Sequence, residues 1–258
     1  MKYGFIGCGN MGGALARAAA KAVGGEQILL ADTDLQKANA LAREIGGGVA
    51  AAEEIAKNCD YIVLGVKPQG VEKLLKTIAI SKNAVIVSMA AGVELQKLEA
   101  LTEGNPLIRI MPNTPVAVGK GVILYAAKAG EKEIEGFLKL FGQAGKLIPL
   151  EERLIDAGTA VSGCGPAYVY LFIEALADGG VSCGLPREQA LELAAGVVEG
   201  AAKMVLETGA HPGALKDAVC SPGGSTIEGV CALEQGAFRA TTANAVIKAY
   251  EKTQKLGK

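Results

Sequence analysis

The first fold signal in the chain is the stretch Gly7-Cys8-Gly9-Asn10-Met11-Gly12, which follows the apolar run Tyr3–Gly7 and opens a segment with helical periodicity. Its glycines have the G-x-G-x-x-G spacing of a strand, turn and helix that bind a dinucleotide. In such a unit the first glycine permits the tight turn, the second lets a pyrophosphate approach the backbone, and the third permits close packing of helix on strand. The stretch predicts cofactor contacts for all six residues; a glycine-rich turn without a ligand is the alternative.

Predicted strands and helices alternate along the first half of the chain. The predicted strands are rich in Ile, Val and Leu on both faces, as in a sheet that helices cover on either side. They are Tyr3–Gly7, Gln27–Ala31, Tyr61–Val66, Ala84–Ser88, Leu107–Ile110, Val122–Ala126 and Lys146–Pro149. Helical periodicity lies between them, for example in Leu35–Ile45 and Glu131–Gly142. The pattern predicts an α/β fold with an N-terminal, Rossmann-type doubly wound sheet.

From residue 151 onward only helical signals remain. The predicted helices are Glu151–Val161, Pro166–Leu176, Arg187–Glu207, Pro212–Val219, Ser225–Gln235 and a last one ending near Gln254. We therefore predict a dinucleotide-binding domain over residues 1–150 and an all-α domain over residues 151–258. The helix Arg187–Glu207 carries apolar residues on more than one face, which favours dimerisation through these helices. A compact monomeric bundle is the alternative.

Composition narrows the classes of partner. The chain has 258 residues with 26 basic and 27 acidic side chains and a net charge of -1, so it offers no basic surface for nucleic acid or anionic lipid. Its longest uncharged run, Ala157–Ile173, contains glycines and Pro166, and no membrane span is expected. The N-terminus lacks signal-peptide features and the six cysteines form no C-x-x-C pair. We expect a cytoplasmic protein without a metal site.

Asp32 is the candidate that bears on cofactor choice. It ends the second predicted strand, twenty residues after Gly12. A carboxylate there accepts hydrogen bonds from the adenosine ribose hydroxyls and repels a 2′-phosphate, which favours NADH over NADPH. The alternative is that Asp32 or Asp34 only caps the helix beginning at Leu35. Lys37 and Arg43 could still reach a 2′-phosphate, so the residues alone leave the cofactor preference open.

Three further loops follow strands at the carboxyl edge of the predicted sheet, where ligands of such sheets bind. They are Val66-Lys67-Pro68-Gln69, Ser88-Met89-Ala90-Ala91-Gly92 and Arg109-Ile110-Met111-Pro112-Asn113-Thr114-Pro115. The cofactor-binding candidates among them are Val66, Lys67, Pro68, Ala90, Ala91, Gly92 and Asn113. For Lys67 the alternative is an ordinary solvated surface charge.

The second half contains one comparable motif, Ser221-Pro222-Gly223-Gly224-Ser225-Thr226-Ile227-Glu228. Two glycines before a helix expose backbone N–H groups to an anion, and the helix dipole favours a carboxylate there. The alternative is structural, because Ser225 and Glu228 have the spacing of a capping box.

These motifs, in this order, resemble the Δ1-pyrroline-5-carboxylate reductase family over essentially the whole chain. The most specific segment runs from His211-Pro212-Gly213 through Leu215-Lys216-Asp217 to Ser221–Thr226. The resemblance implies a dinucleotide-binding domain and a helical domain that interlocks with a partner subunit, in the arrangement of 6-phosphogluconate dehydrogenase. It also implies a homodimer, with a decamer of five dimers as a further expectation.

The resemblance implies a reaction as well. NAD(P)H passes a hydride to the C=N carbon of a cyclic imine, giving L-proline. Thr226 is the catalytic candidate, since its hydroxyl can donate a hydrogen bond to the imine nitrogen. The substrate carboxylate would bind at Gly223, Gly224, Ser225 and Thr226, and Glu152 matches a position that approaches substrate in relatives.

Two departures from the family pattern stand out. Relatives usually have Ser, Thr, Asn or Arg at the position of Asp32, and often Asn near Ala52, which makes NADH use more plausible here. Cys164 replaces the second Ser of the familiar Ser-Gly-Ser-Gly-Pro-Ala-Tyr motif.

The sequence leaves two rival functions open. One is a β-hydroxyacid or 6-phosphogluconate type dehydrogenase, although Leu154–Leu176 lacks the lysine such enzymes use; the other is a cofactor-binding regulatory protein without catalysis.

Overall fold

The computed structural model describes residues 1–256. Eight strands form one sheet, and twelve α-helices are found in this part of the chain. The strands are β1 (Tyr3–Ile6), β2 (Ile28–Ala31), β3 (Gly48–Val49), β4 (Tyr61–Leu64), β5 (Val85–Ser88), β6 (Leu107–Met111), β7 (Gly121–Lys128) and β8 (Gly145–Pro149).

Six helices accompany the strands: α1 (Asn10–Val23), α2 (Leu35–Ile45), α3 (Ala52–Asn58), α4 (Pro68–Thr77), α5 (Leu95–Glu99) and α6 (Glu131–Phe141). Six more follow β8: α7 (Ile155–Ser162), α8 (Gly165–Ser182), α9 (Arg187–Thr208), α10 (Pro212–Ala218), α11 (Ser225–Gln235) and α12 (Phe238–Leu256). Short 3-10 turns occupy Gly25–Gln27, Thr114–Val118 and Glu152–Leu154. The predicted succession of an α/β half and a helical half is confirmed.

The sheet has the strand order β3-β2-β1-β4-β5-β6-β7-β8. All neighbouring strands run parallel except β6 and β7. The sequence did not predict that β7 runs antiparallel to β6. The direction follows from the connection, because the short segment between Met111 and Gly121 contains only a 3-10 turn and no α-helix, whereas a parallel neighbour needs a crossover of roughly a dozen residues or more. The two-residue strand β3 was also missed, because it is too short to show periodicity.

Apolar layers cover both faces of the sheet. On one face Phe5, Leu15 and Phe137 are fully buried in a cluster that joins α1 and α6 to the strands. On the other face, Ile55 of α3 and Ile62 of β4 are fully buried. Two covered faces explain why the strands read as continuous apolar runs.

The chain divides into two compact units. Among the described residues, the first contains Met1–Cys164 and residues 249–256, and the second contains Gly165–Lys248. The strands end at Pro149, near the predicted change of pattern, but α7 still belongs to the first unit. The reason is close packing on β7, where a Cβ atom at Gly158 would lie 2.6 Å from the Leu124 side chain.

The second unit buries little of its own apolar surface. Its small core consists of Ala177, Ala190 and Ala194, where α8 packs on α9. Large apolar side chains on these two helices remain exposed, among them Leu171, Leu193 and Val197. These helices therefore present much apolar surface that the unit itself does not cover.

One helical stretch in the described residues, Glu152–Ser182, is long and apolar enough to cross a membrane by length and composition. The sequence predicts no such stretch, because glycines and Pro166 interrupt the apolar run. In the structure α7 and α8 follow each other with two residues between them, and Pro166 lies in the first turn of α8, where proline is tolerated. Only 11% of the most apolar window is buried.

Candidate active site

The glycine-rich turn joins β1 to α1 with very close backbone contacts. Gly7 has φ +104°, and a Cβ atom there would lie 2.6 Å from the carbonyl carbon of Gly65, just after β4. A Cβ atom at Gly12 would clash with the carbonyl oxygen of Gly7. At Gly9, by contrast, a Cβ atom would meet no heavy atom within 4 Å. The turn is thus packed from behind and open at Gly9, which is the shape a pyrophosphate requires.

A cavity of about 620 Å³ lies at the carboxyl ends of β1, β2 and β4. The order of these strands reverses between β1 and β4, and ligands of open α/β sheets bind at such a point. Its walls are formed by Ile6, Gly7, Gly9, Ala31, Asp32, Thr33, Leu35, Ala50, Ala51, Ala52, Gly65, Val66, Lys67, Gly70, Lys73, Leu74 and Thr77. Its volume is in the range of cofactor and ligand sites, roughly 300–1,000 Å³.

Asp32 and Asp34 have separate roles. Asp34 caps α2, since its Oδ1 accepts hydrogen bonds from the N–H groups of Gln36 at 3.0 Å and Lys37 at 3.4 Å. Asp32 lines the cavity, and its Oδ2 accepts the Cys8 N–H at 2.6 Å while its Oδ1 accepts the Asp34 N–H at 2.9 Å. Two backbone donors therefore hold the Asp32 carboxylate beside the glycine-rich turn.

Cys8 is a neutral group in this turn. Burial, and secondly the nearby Asp32 carboxylate, raise the pKa of the Cys8 thiol to about 11. Its Sγ lies 3.6 Å from the carbonyl oxygen of Ala31. At neutral pH the thiol therefore adds no negative charge next to the place where a pyrophosphate would bind.

The loop after β4 contributes to the same cavity. Val66 and Lys67 line it, and Pro68 begins α4 in the first-turn position that suits proline. The loop after β5 does not line it. There the Ala90 N–H lies 3.4 Å from Ser88 Oγ and Gly92 has φ +73°, which forms a tight turn at the same edge of the sheet.

Asn113 is held by protein groups at both ends of its amide. Its Nδ2 donates to the Ser162 carbonyl at 2.9 Å, and its Oδ1 accepts the Val122 N–H at 2.8 Å. The side chain is 7% exposed. These bonds join the loop after β6 to β7 and α7, and the predicted cofactor contact of Asn113 stays a prediction.

Glu152 belongs to a cluster around the buried side chain of Arg109. Glu152 Oε1 accepts the Leu95 N–H at 2.7 Å and lies 3.2 Å from Arg109 Nη1. Asp156 Oδ1 lies 3.1 Å from Arg109 Nη2, and the Arg109 side chain is only 2% exposed. The cluster connects β6, the start of α5 and the segment leading into α7. Arg109 belongs to the loop motif that follows β6, but nothing in that motif indicates its pairing with Glu152 and Asp156. The substrate contact predicted for Glu152 stays a prediction.

In the second unit, Gly223 has φ +67°, and a Cβ atom at Gly224 would clash with Ser221 Oγ. Helix α11 has Gly224 as its N-cap residue and no side-chain cap. The capping box considered for Ser225 and Glu228 is therefore wrong, because Ser225 is already the first helical residue. The N–H groups of the first turn, where Thr226 also lies exposed, keep their capacity to bind an anion.

The single histidine has a local structural role. His211 is the N-cap residue of α10, and its Nδ1 accepts the Gly213 N–H at 3.0 Å. Among residues 1–256 no cluster of three or more His, Cys, Asp or Glu side chains is arranged to hold a metal ion.

Comparison with known proteins extends these observations. The protein named "Pyrroline-5-carboxylate reductase" from Arabidopsis thaliana is 44% identical over 262 residues, which cover 99% of this chain and 95% of that protein. The protein of the same name from Escherichia coli is also 44% identical, over 100% of this chain and 98% of its own. This chain belongs to the pyrroline-5-carboxylate reductase family. The rival dehydrogenase assignment is thereby set aside.

Family models match parts of both halves of the chain. Residues 152–256 match the family model described as "Pyrroline-5-carboxylate reductase dimerisation", and residues 2–92 match one described as "NADP oxidoreductase coenzyme F420-dependent". A crystal structure of the Plasmodium falciparum pyrroline carboxylate reductase with NADP bound is 35% identical, with a TM-score of 0.88 over 100% of this chain and 98% of that one. A dimerisation domain also accounts for the exposed apolar side chains of α8 and α9.

Proposed function

We propose that this chain reduces 1-pyrroline-5-carboxylate to L-proline, the last step of proline biosynthesis, at the expense of NAD(P)H. The structural observation that supports the proposal is the cavity at the open side of Gly9. The chain is also similar over nearly its full length to a pyrroline-5-carboxylate reductase. The reduced nicotinamide supplies the hydride when it is bound. The chain itself must hold that cofactor, bind the cyclic imine and direct its C=N bond.

The cavity residues fit a dinucleotide. Gly9 leaves space for the pyrophosphate, and the N-terminus of α1 supplies N–H groups and a favourable dipole. Gly7 and Gly12 are required by the backbone packing behind that space. Asp32 can accept the ribose hydroxyls with the oxygens that Cys8 and Asp34 already orient. The loops that contain Lys67 and Ala91 follow β4 and β5 at the same edge of the sheet as the glycine-rich turn.

The substrate carboxylate is proposed to bind at the start of α11. Gly224 ends a turn with φ −79° and ψ 166°, and no side chain occupies the N–H groups that follow it. A carboxylate is stabilised by such groups and by the helix dipole. The Thr226 hydroxyl then donates a hydrogen bond to the imine nitrogen, which makes the C=N carbon more electrophilic.

Asp32 supports a preference for NADH. Its carboxylate is held next to the turn that binds the pyrophosphate, so a 2′-phosphate on the same ribose would approach a fixed negative charge. The family model that matches residues 2–92 is named for NADP, and the preference therefore has to be measured directly.

The deciding experiment follows the absorbance of NADH and of NADPH with the purified chain and 1-pyrroline-5-carboxylate. We expect turnover with both cofactors and a higher kcat/KM for NADH. In Asp32→Ser the ratio of kcat/KM for NADPH over NADH should rise about 10-fold, since one unfavourable charge pair is removed. No turnover with either cofactor, although both bind, would contradict the proposed reaction; an unchanged ratio would remove only Asp32 from the explanation.

Assembly and location complete the proposal. The dimerisation domain supports a homodimer through the C-terminal helices, and we propose that five such dimers form a decamer, as the family resemblance implies. The proposed location is the cytoplasm.

A further inference from the structure

Helix α4 presents one face to the cofactor cavity. Gly70, Lys73, Leu74 and Thr77 line the cavity, and their spacing of three and four residues places them on a single side of the helix. No motif drew attention to Lys73 in the sequence, because an isolated lysine in an amphipathic helix usually faces solvent. Here it lies on the wall that also contains Asp32.

The charged residues in the cavity wall are Asp32, Lys67 and Lys73. Other lysines nearby have carboxylate partners: Lys76 lies 2.7 Å from Glu72 on the same helix, and Lys37 lies 3.4 Å from Asp34. Within residues 1–256, no carboxylate oxygen lies within 4 Å of the ammonium group of Lys67 or Lys73. The cavity wall therefore has one carboxylate and two lysines without a carboxylate partner, and its charge suits an anionic ligand.

The two lysines lie at different positions along the cavity wall. Lys67 directly follows the β4 loop, whose Gly65 touches Gly7 of the glycine-rich turn, so it belongs to the pyrophosphate end. Lys73 is six residues further along, which places it about 9 Å away along the helix at roughly 1.5 Å per residue. A nicotinamide dinucleotide phosphate has one other anionic group, the phosphate monoester on its adenosine ribose.

We propose that Lys73 binds the 2′-phosphate of NADPH and thereby determines how well the cavity accepts the phosphorylated cofactor. Asp32 disfavours that phosphate and Lys73 favours it, so the balance between the two sets the preference. On this proposal, a chain with an aspartate at the end of β2 still accepts NADPH. The inference rests on the proposed function only in that the cavity holds a nicotinamide dinucleotide.

The test measures binding without any substrate or turnover. Calorimetric titrations compare 2′,5′-ADP with 5′-AMP, which differ only in the 2′-phosphate, on the wild type, Lys73→Met and Lys73→Arg. Lys76→Met is the matched control, because it removes a lysine from the same helix outside the cavity wall. A failure of the reductase assay would leave these binding constants untouched.

We expect Lys73→Met to weaken 2′,5′-ADP about 5- to 10-fold and to leave 5′-AMP unchanged, as removal of one partly solvated cation at a phosphate should do. Lys73→Arg should retain wild-type binding, and Lys76→Met should change neither ligand. Added salt should reduce the wild-type advantage of 2′,5′-ADP and have little effect in Lys73→Met. Equal loss of both ligands in Lys73→Met, or no loss of either, would overturn the proposal.

Discussion

At the scale of single residues, Thr226 is the side chain on which the proposed reaction depends most. It is exposed in the first turn of α11, and its neighbours leave the N–H groups there without a side-chain cap. Thr226→Ala should lower kcat about 100-fold, because the imine nitrogen loses a hydrogen-bond donor in the transition state. Cofactor binding, measured by calorimetry, should not change. Thr226→Ser keeps the hydroxyl and should keep most of the activity. Normal turnover in Thr226→Ala would exclude a required donor role.

At the scale of secondary-structure elements, the cluster of Arg109, Glu152 and Asp156 connects β6 with α5 and the entry to α7. Arg109 is 2% exposed, so Arg109→Met would leave two neighbouring carboxylates without their cation. The free energy of unfolding should fall by about 2 kcal/mol, less than for a fully buried ion pair, because the Glu152 and Asp156 side chains are 28% and 29% exposed. Denaturant unfolding measures it, with Arg153→Met as the control in an exposed ion pair, where little change is expected. Glu152→Gln should also lower stability; a large rise in KM for the imine without loss of stability would instead indicate a substrate contact.

At the scale of the whole molecule, the exposed apolar residues of α8 and α9 should hold two chains together. Val197 is 59% exposed on α9, within the segment that matches the dimerisation family. Val197→Glu should lower the mass in sedimentation or light scattering toward the 26.3 kDa of one chain, because burying a carboxylate in an apolar interface is unfavourable. Val118→Glu is the matched control, since Val118 is 74% exposed but lies in the first unit. An unchanged mass for Val197→Glu would place the interface elsewhere.

Most of the fold could be predicted because its signals are local. Helix α2 has the predicted bounds Leu35–Ile45, and α11 has the predicted bounds Ser225–Gln235. Both follow from side-chain periodicity and from the residues at their ends. The glycine-rich turn could be predicted for the same reason, because three glycines at a fixed spacing indicate a backbone so closely packed that side chains would not fit. The strand β3 and the reversed direction of β7 could not be predicted, because neither produces a periodic pattern in the sequence.

The α/β half, the helical half and the place of the glycine-rich turn could be predicted from the sequence, because each depends on residues close together in the chain; the family could be predicted because its motifs follow one another in order along the whole chain. The three-dimensional structure was needed to show which of Asp32 and Asp34 faces the cavity, that Ser225 is not a cap, and that Arg109 pairs with Glu152. The structure also places Lys73 on the same cavity wall as Asp32, although the two residues are 41 positions apart in the chain. Such pairings depend on how separate elements pack at the edge of the sheet, and no spacing within one segment encodes them.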